Sequence, residues 1–346
     1  MKSFEQITTL PTRETVEEKV EEVSQEQKER DLLLEQFEHP GKVEVYGGEM
    51  EVVDINPEQP KTETPTVFLG GYLTSTESNK GAILKLAGSQ RRTLSINEPH
   101  GIEPENIHEA TEIENKMIPN IEFRKVAALL KMIDEKGLDQ VDLVAHSEGA
   151  IYGAWAAILR PERIRNIVLV DPAGMIGEDS ASRIIKGTAV DIAIQTSRIW
   201  KKIKENPEEG KEAKRRADQV GKEALKSFAK DPKRSIEAIG AITDSQIEDL
   251  LLQIRELGIH ISIIHGVDDK YFSMDRVQKV TKEPMIDGFY SVQGTHNDIA
   301  HYPEKYAGLV DKALDALEVL SLKEKLNEEG QEGSEQPEQE ELAQAS

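Results

Sequence analysis

The stretch from residue 140 to residue 159 constrains the fold more than any other part of the chain. Residues 140–145 form a short apolar run that is typical of a buried strand. A turn centred on Ser147 follows, and residues 150–159 are rich in alanine, which favours a helix. The sequence therefore predicts a strand, a sharp turn and a helix in direct succession.

Small residues flank Ser147 at the two positions where such a strand and helix approach each other, Ala145 and Gly149. A serine between them projects its hydroxyl from a strained turn, which is the arrangement of a nucleophile elbow. The turn also directs the backbone N–H of Glu148 toward negative charge that develops on a substrate oxygen. A Ser-x-Gly turn also arises by chance, so the rest of the chain must supply the partners of a catalytic serine.

Apolar runs alternate with amphipathic segments along much of the chain. This alternation predicts a mostly parallel sheet with helices on both faces, which is an α/β fold. A hairpin around Gly47-Gly48 is expected near its start. The predicted strands are residues 42–46, 51–55, 66–69, 92–96, 140–145, 164–170, 259–264 and 289–292, and the predicted helices between them include 79–86, 121–136 and 304–320.

The alternation stops between two of the strands, where residues 172–257 are predicted to form only helices. Residues 201–234 of this insertion contain 12 bases and 7 acids, although the chain carries a net charge of −22. This charge has three alternative explanations. The basic residues could lie on solvated helix faces, attract an anionic substrate, or bind the acidic termini. We expect its apolar residues to cover a pocket as a lid; they are Ile184, Ile185, Val190, Ile192, Ile194, Ile199 and Trp200.

Both ends of the chain are strongly acidic. Residues 1–41 contain 11 acids and 5 bases and are predicted to form a helical arm. Residues 321–346 contain 8 acids and 2 bases, and the low complexity of residues 322–346 predicts a disordered tail. The folded domain is therefore expected to span residues 42–321, and the acidic ends are candidates for self-association or for binding another protein.

Composition excludes several classes of protein. The chain has no cysteine, so disulfides and thiolate metal sites are excluded. The first thirty residues lack the apolar core of a signal peptide, and no apolar run reaches the roughly 18 residues that span a bilayer. Strong acidity disfavours non-specific binding to nucleic acid. We expect a cytoplasmic protein with no membrane span and no nucleic-acid partner.

Side chains that could serve a catalytic serine follow other predicted strands. Asp268 and Asp269 come after residues 259–264, and His296 comes after residues 289–292. Gly70-Gly71-Tyr72 follows residues 66–69. Because the carboxyl ends of parallel strands meet at one edge of the sheet, these groups are expected to converge near Ser147. A serine nucleophile needs a base, an orienting acid and oxyanion donors, and all are available in the order Ser, Asp, His.

Residues from about 42 to 320 resemble the α/β-hydrolase superfamily in its capped form. The resemblance implies that Ser147 is the nucleophile, His296 the general base and Asp269 the orienting acid. It also implies that the backbone N–H groups of Tyr72 and Glu148 form the oxyanion hole. The matching pieces are the turn Gly71-Tyr72, residues 145–149, residues 266–269 and residues 294–296.

Two positions depart from the family pattern, since Ala145 replaces the usual glycine and Gly70-Gly71 replaces a His-Gly pair. If the turn at Gly70-Gly71 is displaced, the N–H of Gly71 replaces that of Tyr72 as the oxyanion donor. Asp268 and Asp171 are alternative acids. His146 is expected to pack on the opposite side of the elbow, and His265 and His301 are expected in a supporting or surface position. Glu98 and His100 could line the pocket, but a surface loop is the favoured position for them.

The resemblance implies a serine hydrolase that cleaves a carboxylic ester of a small-molecule acyl substrate through an acyl-enzyme. It implies no cofactor and no metal. A peptidase, a thioesterase or an acyltransferase on the same scaffold are alternatives, because pocket shape sets the substrate. A non-catalytic binding or scaffold protein of the same fold is the alternative from a different class.

Overall fold

A computed structural model of the chain describes residues 27–97, 107, 118–177, 179–281 and 284–344, with side chains up to residue 327. Eight described strands form one sheet in the order β1-β2-β4-β3-β5-β6-β7-β8. The strands are β1 Gly41–Val45, β2 Gly48–Ile55, β3 Thr66–Leu69, β4 Thr93–Ile96, β5 Val141–His146, β6 Ile164–Val170, β7 His260–Gly266 and β8 Gly288–Val292.

The sheet is mostly parallel, as the sequence predicts. β1 pairs with β2 and β2 pairs with β4 in the antiparallel sense, whereas every pair from β4 across to β8 is parallel. The β1–β2 hairpin turns through Tyr46 and Gly47, whose φ angles are 45° and 83°. Two consecutive positive φ angles match the twist of the flanking strands in a two-residue hairpin loop.

Helices cover both faces of the sheet, and their apolar sides form the core with the strands. Alternation along β5 shows this directly, because Leu143 and Ala145 pack into one cluster and Val144 into the other. The first cluster includes α3 Asn120–Glu135, α4 Gly149–Leu159 and α8 Glu248–Glu256. The second includes α1 (residues 27–38), α2 Lys80–Ala87 and α11 Pro303–Gln344.

Three helices lie between β6 and α8 and form what we call the helical insertion. They are α5 Ala181–Glu205, α6 Pro207–Lys230 and α7 Pro232–Asp244. Each begins at a polar cap, because the side chains of Ser180, Asn206 and Asp231 accept hydrogen bonds from backbone N–H groups of the first turn. Since α8 packs on α4 and β7, it covers the sheet, and the insertion is shorter than the predicted range 172–257.

The orientation of α5 differs from the prediction. Four of its apolar residues, Ile185, Val190, Ile192 and Trp200, are exposed, and Ile199 is buried. The apolar face therefore does not line a pocket as expected. Helical periodicity shows which residues share a face, but it does not show which face meets the body of the protein.

The basic residues of α6 lie mainly on its exposed side. Lys211, Lys214 and Lys226 pair with acids three or four residues away on the same helix. Such exposed pairs contribute little to stability. This arrangement fits the interpretation of solvated helix faces, and docking of the acidic termini stays a prediction.

The ends of the chain extend the domain beyond the predicted boundaries. Leu33 and Phe37 of α1 are buried in the core, so the domain begins before residue 42. The first 26 residues of the predicted arm lie outside the described residues. At the other end, residues 322–344 continue α11 instead of forming the expected disordered tail, in keeping with the high helix propensity of glutamate, glutamine and leucine.

No helix within the described ranges is both long and apolar enough to span a bilayer.

The turn between β5 and α4 has the strained backbone that the sequence predicts. Ser147 has a φ of 54°, in the left-handed region that a residue with a side chain rarely adopts. Its N–H donates to the carbonyl of Val170, and its carbonyl accepts from the N–H of Ala173, both at 3.0 Å. A Cβ on Gly149 would lie 2.7 Å from the carbonyl oxygen of Leu69. The neighbouring strands therefore fix the turn and require glycine at position 149.

We expect Gly149→Ala to destabilise the protein by about 1–3 kcal/mol, because the new methyl group forces α4 away from β3. Denaturant unfolding measures the change. Gly221→Ala on α6 is the matched control, since a Cβ there meets no atom within 4 Å. That control should raise the free energy of unfolding by about 0.5–1 kcal/mol. Equal effects of the two substitutions would contradict the account.

Candidate active site

Ser147, His296 and Asp269 meet at the carboxyl edge of the sheet. Ser147 Oγ lies 2.8 Å from Nε2 of His296, and Nδ1 of the same ring lies 2.8 Å from Oδ2 of Asp269. All three residues are buried, with 6%, 3% and 1% of their surface exposed. The structure thus joins the three residues into one hydrogen-bonded line, whereas Ser147 and His296 are 149 positions apart.

Each of the three side chains comes from a different strand end. Asp269 lies between β7 and the helix α9 Met274–Val280, and His296 lies between β8 and the short helix α10 Asp298–His301. Oδ1 of Asp269 accepts from the N–H groups of Tyr271 and Phe272 at 2.7 and 2.9 Å. Because these bonds fix one carboxylate oxygen, the other is held facing the imidazole of His296.

Aromatic rings confine the imidazole of His296. Tyr271 stacks on it with ring centroids 4.3 Å apart, and Phe272 meets it edge-on at 5.2 Å. His146 lies 5.2 Å away on another side, and its Nε2 is 3.0 Å from the carbonyl oxygen of His296. His146 is packed and hydrogen-bonded, but it lies beside His296 and not on the opposite side of the elbow, where it was expected. The ring of His296 therefore has little freedom to rotate away from Ser147.

The charges around His296 favour an ionised acid and a neutral neighbour. Burial alone would raise the pKa of Asp269, but the charge and hydrogen bond of His296 outweigh burial and lower that pKa. Burial, followed by the proximity of His296, lowers the pKa of His146 to about 3. His146 is therefore uncharged at neutral pH and does not compete with His296 for Asp269.

A second buried carboxyl lies behind Asp269. Asp171, at the end of β6 with a φ of 45°, accepts from the N–H of Gly266 at 2.6 Å. Its Oδ1 is 3.3 Å from Nδ1 of His265, whose Nε2 is 2.8 Å from the carbonyl oxygen of Phe272. Burial and the charge of Asp269 raise the pKa of Asp171 well above its ordinary value. A protonated Asp171 can then donate to His265, which leaves Asp269 as the charged member of the group.

The same group is a possible metal ligand set, which the sequence did not indicate. Ligand atoms of Asp171, His265 and Asp269 lie within 4.8 Å of one another. Both oxygens of Asp269 are already engaged by backbone N–H groups and by His296. An ion here would draw Asp269 away from His296, so metal binding and the Ser147 line are competing uses of one carboxylate.

The loop after β3 lies directly beside Ser147. A Cβ on Gly71 would be 2.8 Å from Cβ of Ser147, so the backbone at Gly71-Tyr72 borders the serine hydroxyl. The phenol of Tyr72 donates to the carbonyl of Ser235 on α7 at 2.8 Å. Glu148 is buried beside Lys125, with 2.5 Å between Oε1 and Nζ. The oxyanion roles of Tyr72 and Glu148 stay predictions.

The alternative residues occupy other positions. Asp268 forms an ion pair with Arg198 of α5 and is not the residue that contacts His296. His265 and His301 were expected in a supporting or a surface position; both are buried, so the surface alternative is wrong and the supporting one is left. Glu98 and His100 lie outside the described residues.

Sequence reasoning missed a glycine and three polar residues on α5 that face the site. They recur at intervals of three or four positions, which places them on one side of the helix. We call this set the seam. Its spacing within an apolar segment was a signal in the sequence, but the contacts of its residues depend on how α5 packs against the loops of the site. The seam residues are Gly187 against Lys270, Asp191 against Lys270 and His296, Gln195 against His301, and Arg198 against Asp268 and Asp298.

A cleft of about 380 Å³ lies between the β3 loop and the helical insertion. Tyr72 and Thr74, from the loop that borders Ser147, line part of this cleft, whereas Ser147 and His296 do not line it. Charged residues dominate the remaining walls, which include Lys42, Glu49, Glu51, Lys125, Glu223, Lys226, Lys230, Asp231 and Arg234. The cleft is therefore a polar one, with both signs of charge.

We expect Asp171→Asn to raise the free energy of unfolding above that of the wild type, by an amount that grows as the pH rises. The folded state raises the pKa of Asp171 above its ordinary value of 3.8, so folding binds the proton and loses stability as pH increases from that value. Asparagine mimics the protonated acid, so the difference in unfolding free energy should be small near pH 4 and should grow toward neutral pH. Asp275→Asn, at an exposed site, is the control. A difference that is independent of pH would contradict a protonated Asp171.

Comparison with known proteins identifies the fold. No protein-family model and no curated protein sequence matches the chain. Among solved structures, an esterase from Exiguobacterium antarcticum and an enol-lactonase from Burkholderia xenovorans LB400 are each 13% identical with a TM-score of 0.56, and each comparison covers 80% of this chain and 100% of the other.

A serine hydrolase from Cycloclasticus zankles is 16% identical with a TM-score of 0.54, over 81% of this chain and 98% of that one. Together with the sheet order and the strand–turn–helix at Ser147, these likenesses show that the chain has the α/β-hydrolase fold. At such low identity they show the fold alone.

Proposed function

We propose that the protein is a serine hydrolase that cleaves a carboxylic ester of a small-molecule acyl substrate. The observation that carries the proposal is the continuous line from Ser147 Oγ through the imidazole of His296 to Asp269, with 2.8 Å at each contact. A nucleophile, a base and an orienter within hydrogen-bond reach of one another are the recurring components of serine catalysis.

The reaction begins with transfer of a proton. Nε2 of His296 accepts the proton of Ser147 as its oxygen attacks the ester carbonyl, and a tetrahedral intermediate forms. His296 then gives this proton to the leaving alkoxide, which departs as an alcohol and leaves an acyl group on Ser147. Water attacks the acyl-enzyme in the same way, His296 again accepting and returning the proton, and the carboxylic acid is released.

Asp269 holds His296 in the tautomer with its proton on Nδ1. Because the pKa of Asp269 is lowered by His296, the carboxylate stays charged and stabilises the imidazolium that forms when Ser147 loses its proton. The stacked ring of Tyr271 keeps the imidazole in the plane that this transfer requires. These contacts support general base catalysis by His296.

Backbone N–H groups of Tyr72 and Glu148 stabilise the oxyanion in this proposal. The loop at Gly71 borders Ser147, and Glu148 is both the next residue and the one before α4. The N-terminus of a helix favours negative charge. Removal of one such donor typically costs about 3 kcal/mol in the transition state.

The helical insertion acts as the cap of the site, and its polar cleft favours a polar substrate. Lys125, Lys226, Lys230 and Arg234 line this cleft, and Glu223 and Asp231 also line it. Most pockets for apolar ligands have predominantly hydrophobic linings, and this cleft does not. An ester with a polar or charged group therefore fits better than a long-chain ester.

The first test is labelling by a fluorophosphonate probe, which reacts covalently with an activated serine. We expect rapid labelling of the wild type, no labelling of Ser147→Ala and labelling slowed by at least about 10²-fold in His296→Ala. Peptide mapping then assigns the label. Ser182→Ala, at an exposed serine of α5, is the control and should label as the wild type does. A folded wild type that stays unlabelled, or a label on another residue, would overturn the proposal.

A second test identifies the orienting acid. Asp269→Asn should lower kcat/KM for a chromogenic ester by roughly 10³-fold, because the amide favours the wrong tautomer of His296. Asp268→Asn changes the neighbouring carboxylate, which forms a partly exposed ion pair with Arg198 and does not contact His296, and it should change kcat/KM by less than about threefold. The reverse order of effects would assign the role to Asp268.

A further inference from the structure

Helix α5 lies directly on the loop that carries Asp269. A Cβ on Gly187 would be 2.2 Å from the carbonyl oxygen of Lys270, so no side chain separates the helix from this loop. Backbone-to-backbone packing of this kind transmits any movement of α5 to the loop. The helical insertion is therefore in direct contact with the loop that holds Asp269.

One turn along α5, a single carboxylate oxygen connects the two loops of the site. Oδ1 of Asp191 accepts from the N–H of Lys270 at 3.3 Å and from the N–H of His296 at 3.4 Å. Lys270 follows Asp269 directly, and His296 is the proposed base. The bridge thus joins the backbone next to the acid with the backbone of the histidine, and it comes from outside the sheet.

We propose that Asp191 is a positioning residue, which aligns His296 with Asp269 by tying their two loops to α5. The inference rests on the proposed function, because alignment matters only if His296 and Asp269 act on Ser147. If Asp191 has this role, His296 and Asp269 are aligned only when α5 is packed against their loops. Displacement of α5 removes the tie, and the pair then loses its fixed geometry.

The cost of burying Asp191 indicates a role other than stability. Asp191 is 1% exposed, and its Oδ2 has no hydrogen-bond partner within the part of the chain that the structure describes. Burial raises its pKa to about 6; the charge of Asp269 adds to this rise, and His296 opposes it. A carboxylate with an unsatisfied buried oxygen destabilises a fold, whereas an apolar residue at the same position would not.

Charged and titratable groups surround Asp191 from every neighbouring element. His296 and Asp269 face it from the two catalytic loops, and Tyr271 adjoins it from the acid loop. Asp171 and Tyr306 lie farther away, within its electrostatic influence. Asp191 thus shares one buried region with Asp171, Asp269 and His296, and its positioning role belongs to the two hydrogen bonds that its Oδ1 accepts.

The test compares two substitutions of Asp191 with a matched pair on α6. Asp191→Asn keeps an oxygen that accepts from both N–H groups, whereas Asp191→Leu has a similar volume and accepts nothing. Asp218→Asn and Asp218→Leu change an exposed aspartate of the insertion and are the controls. Four quantities are measured: kcat and KM on a chromogenic ester, the thermal unfolding midpoint, and the far-downfield proton resonance of the His296 Nδ1–H.

We expect Asp191→Leu to lower kcat by about 10- to 100-fold, the usual effect of a small misplacement of a catalytic group, with KM within about threefold. Its unfolding midpoint should equal or exceed that of the wild type, and its downfield resonance should broaden or disappear. Asp191→Asn should keep the resonance and kcat within about threefold of the wild type. The Asp218 variants should change none of the four quantities.

Either of two results would overturn the proposal. If Asp191→Leu keeps kcat and the resonance, Asp191 positions nothing; if it lowers the unfolding midpoint together with kcat, Asp191 is structural. Failure of the proposed function is distinguishable from both, because a wild type without esterase activity or fluorophosphonate labelling still shows whether the resonance depends on position 191.

Discussion

The left-handed backbone of Ser147 is the constraint on which the geometry of the site depends. The turn is possible because β5 lies between β3 and β6, which bond to it in parallel, and because Gly149 lets α4 approach the carbonyl of Leu69. Strain of this kind persists only where the surrounding structure fixes it. Its consequence is that Ser147 Oγ points out of the sheet edge toward His296, instead of lying along the strand.

The rest of the site is assembled around this hydroxyl from two sources. The sheet supplies Asp269 and His296 from the ends of β7 and β8, and backbone N–H groups fix Asp269 in turn. The helical insertion supplies contacts to both sides, through Asp191 to the loops of Asp269 and His296 and through Ser235 to the loop of Tyr72. Each of these hydrogen bonds joins a loop at the edge of the sheet to a helix of the insertion. The insertion is therefore in direct contact with the loops that hold the site.

The sequence predicted the sheet and the serine line because both depend on local signals. Apolar runs mark the buried strands, and side chains after parallel strands converge at one edge, which brought Ser147, Asp269 and His296 together. The seam on α5 was not predicted, because the docking of a helix depends on surfaces that periodicity does not specify; for the same reason the exposed position of Ile192 and Trp200 was unexpected. The contact between Asp171 and His265 beside Asp269 was not predicted, because it depends on how β6 and β7 pack together in the sheet.

The central claim is that Ser147 forms an acyl-enzyme through His296. The most direct measurement is rapid quenching of the wild type during turnover of an activated acetate ester, followed by mass mapping of the acetylated peptide. The account predicts a burst of released alcohol equal to one per chain, with the acetyl group on Ser147, and no burst in His296→Ala. Turnover without acetylation of Ser147, or an acetyl group carried by another residue, would contradict it.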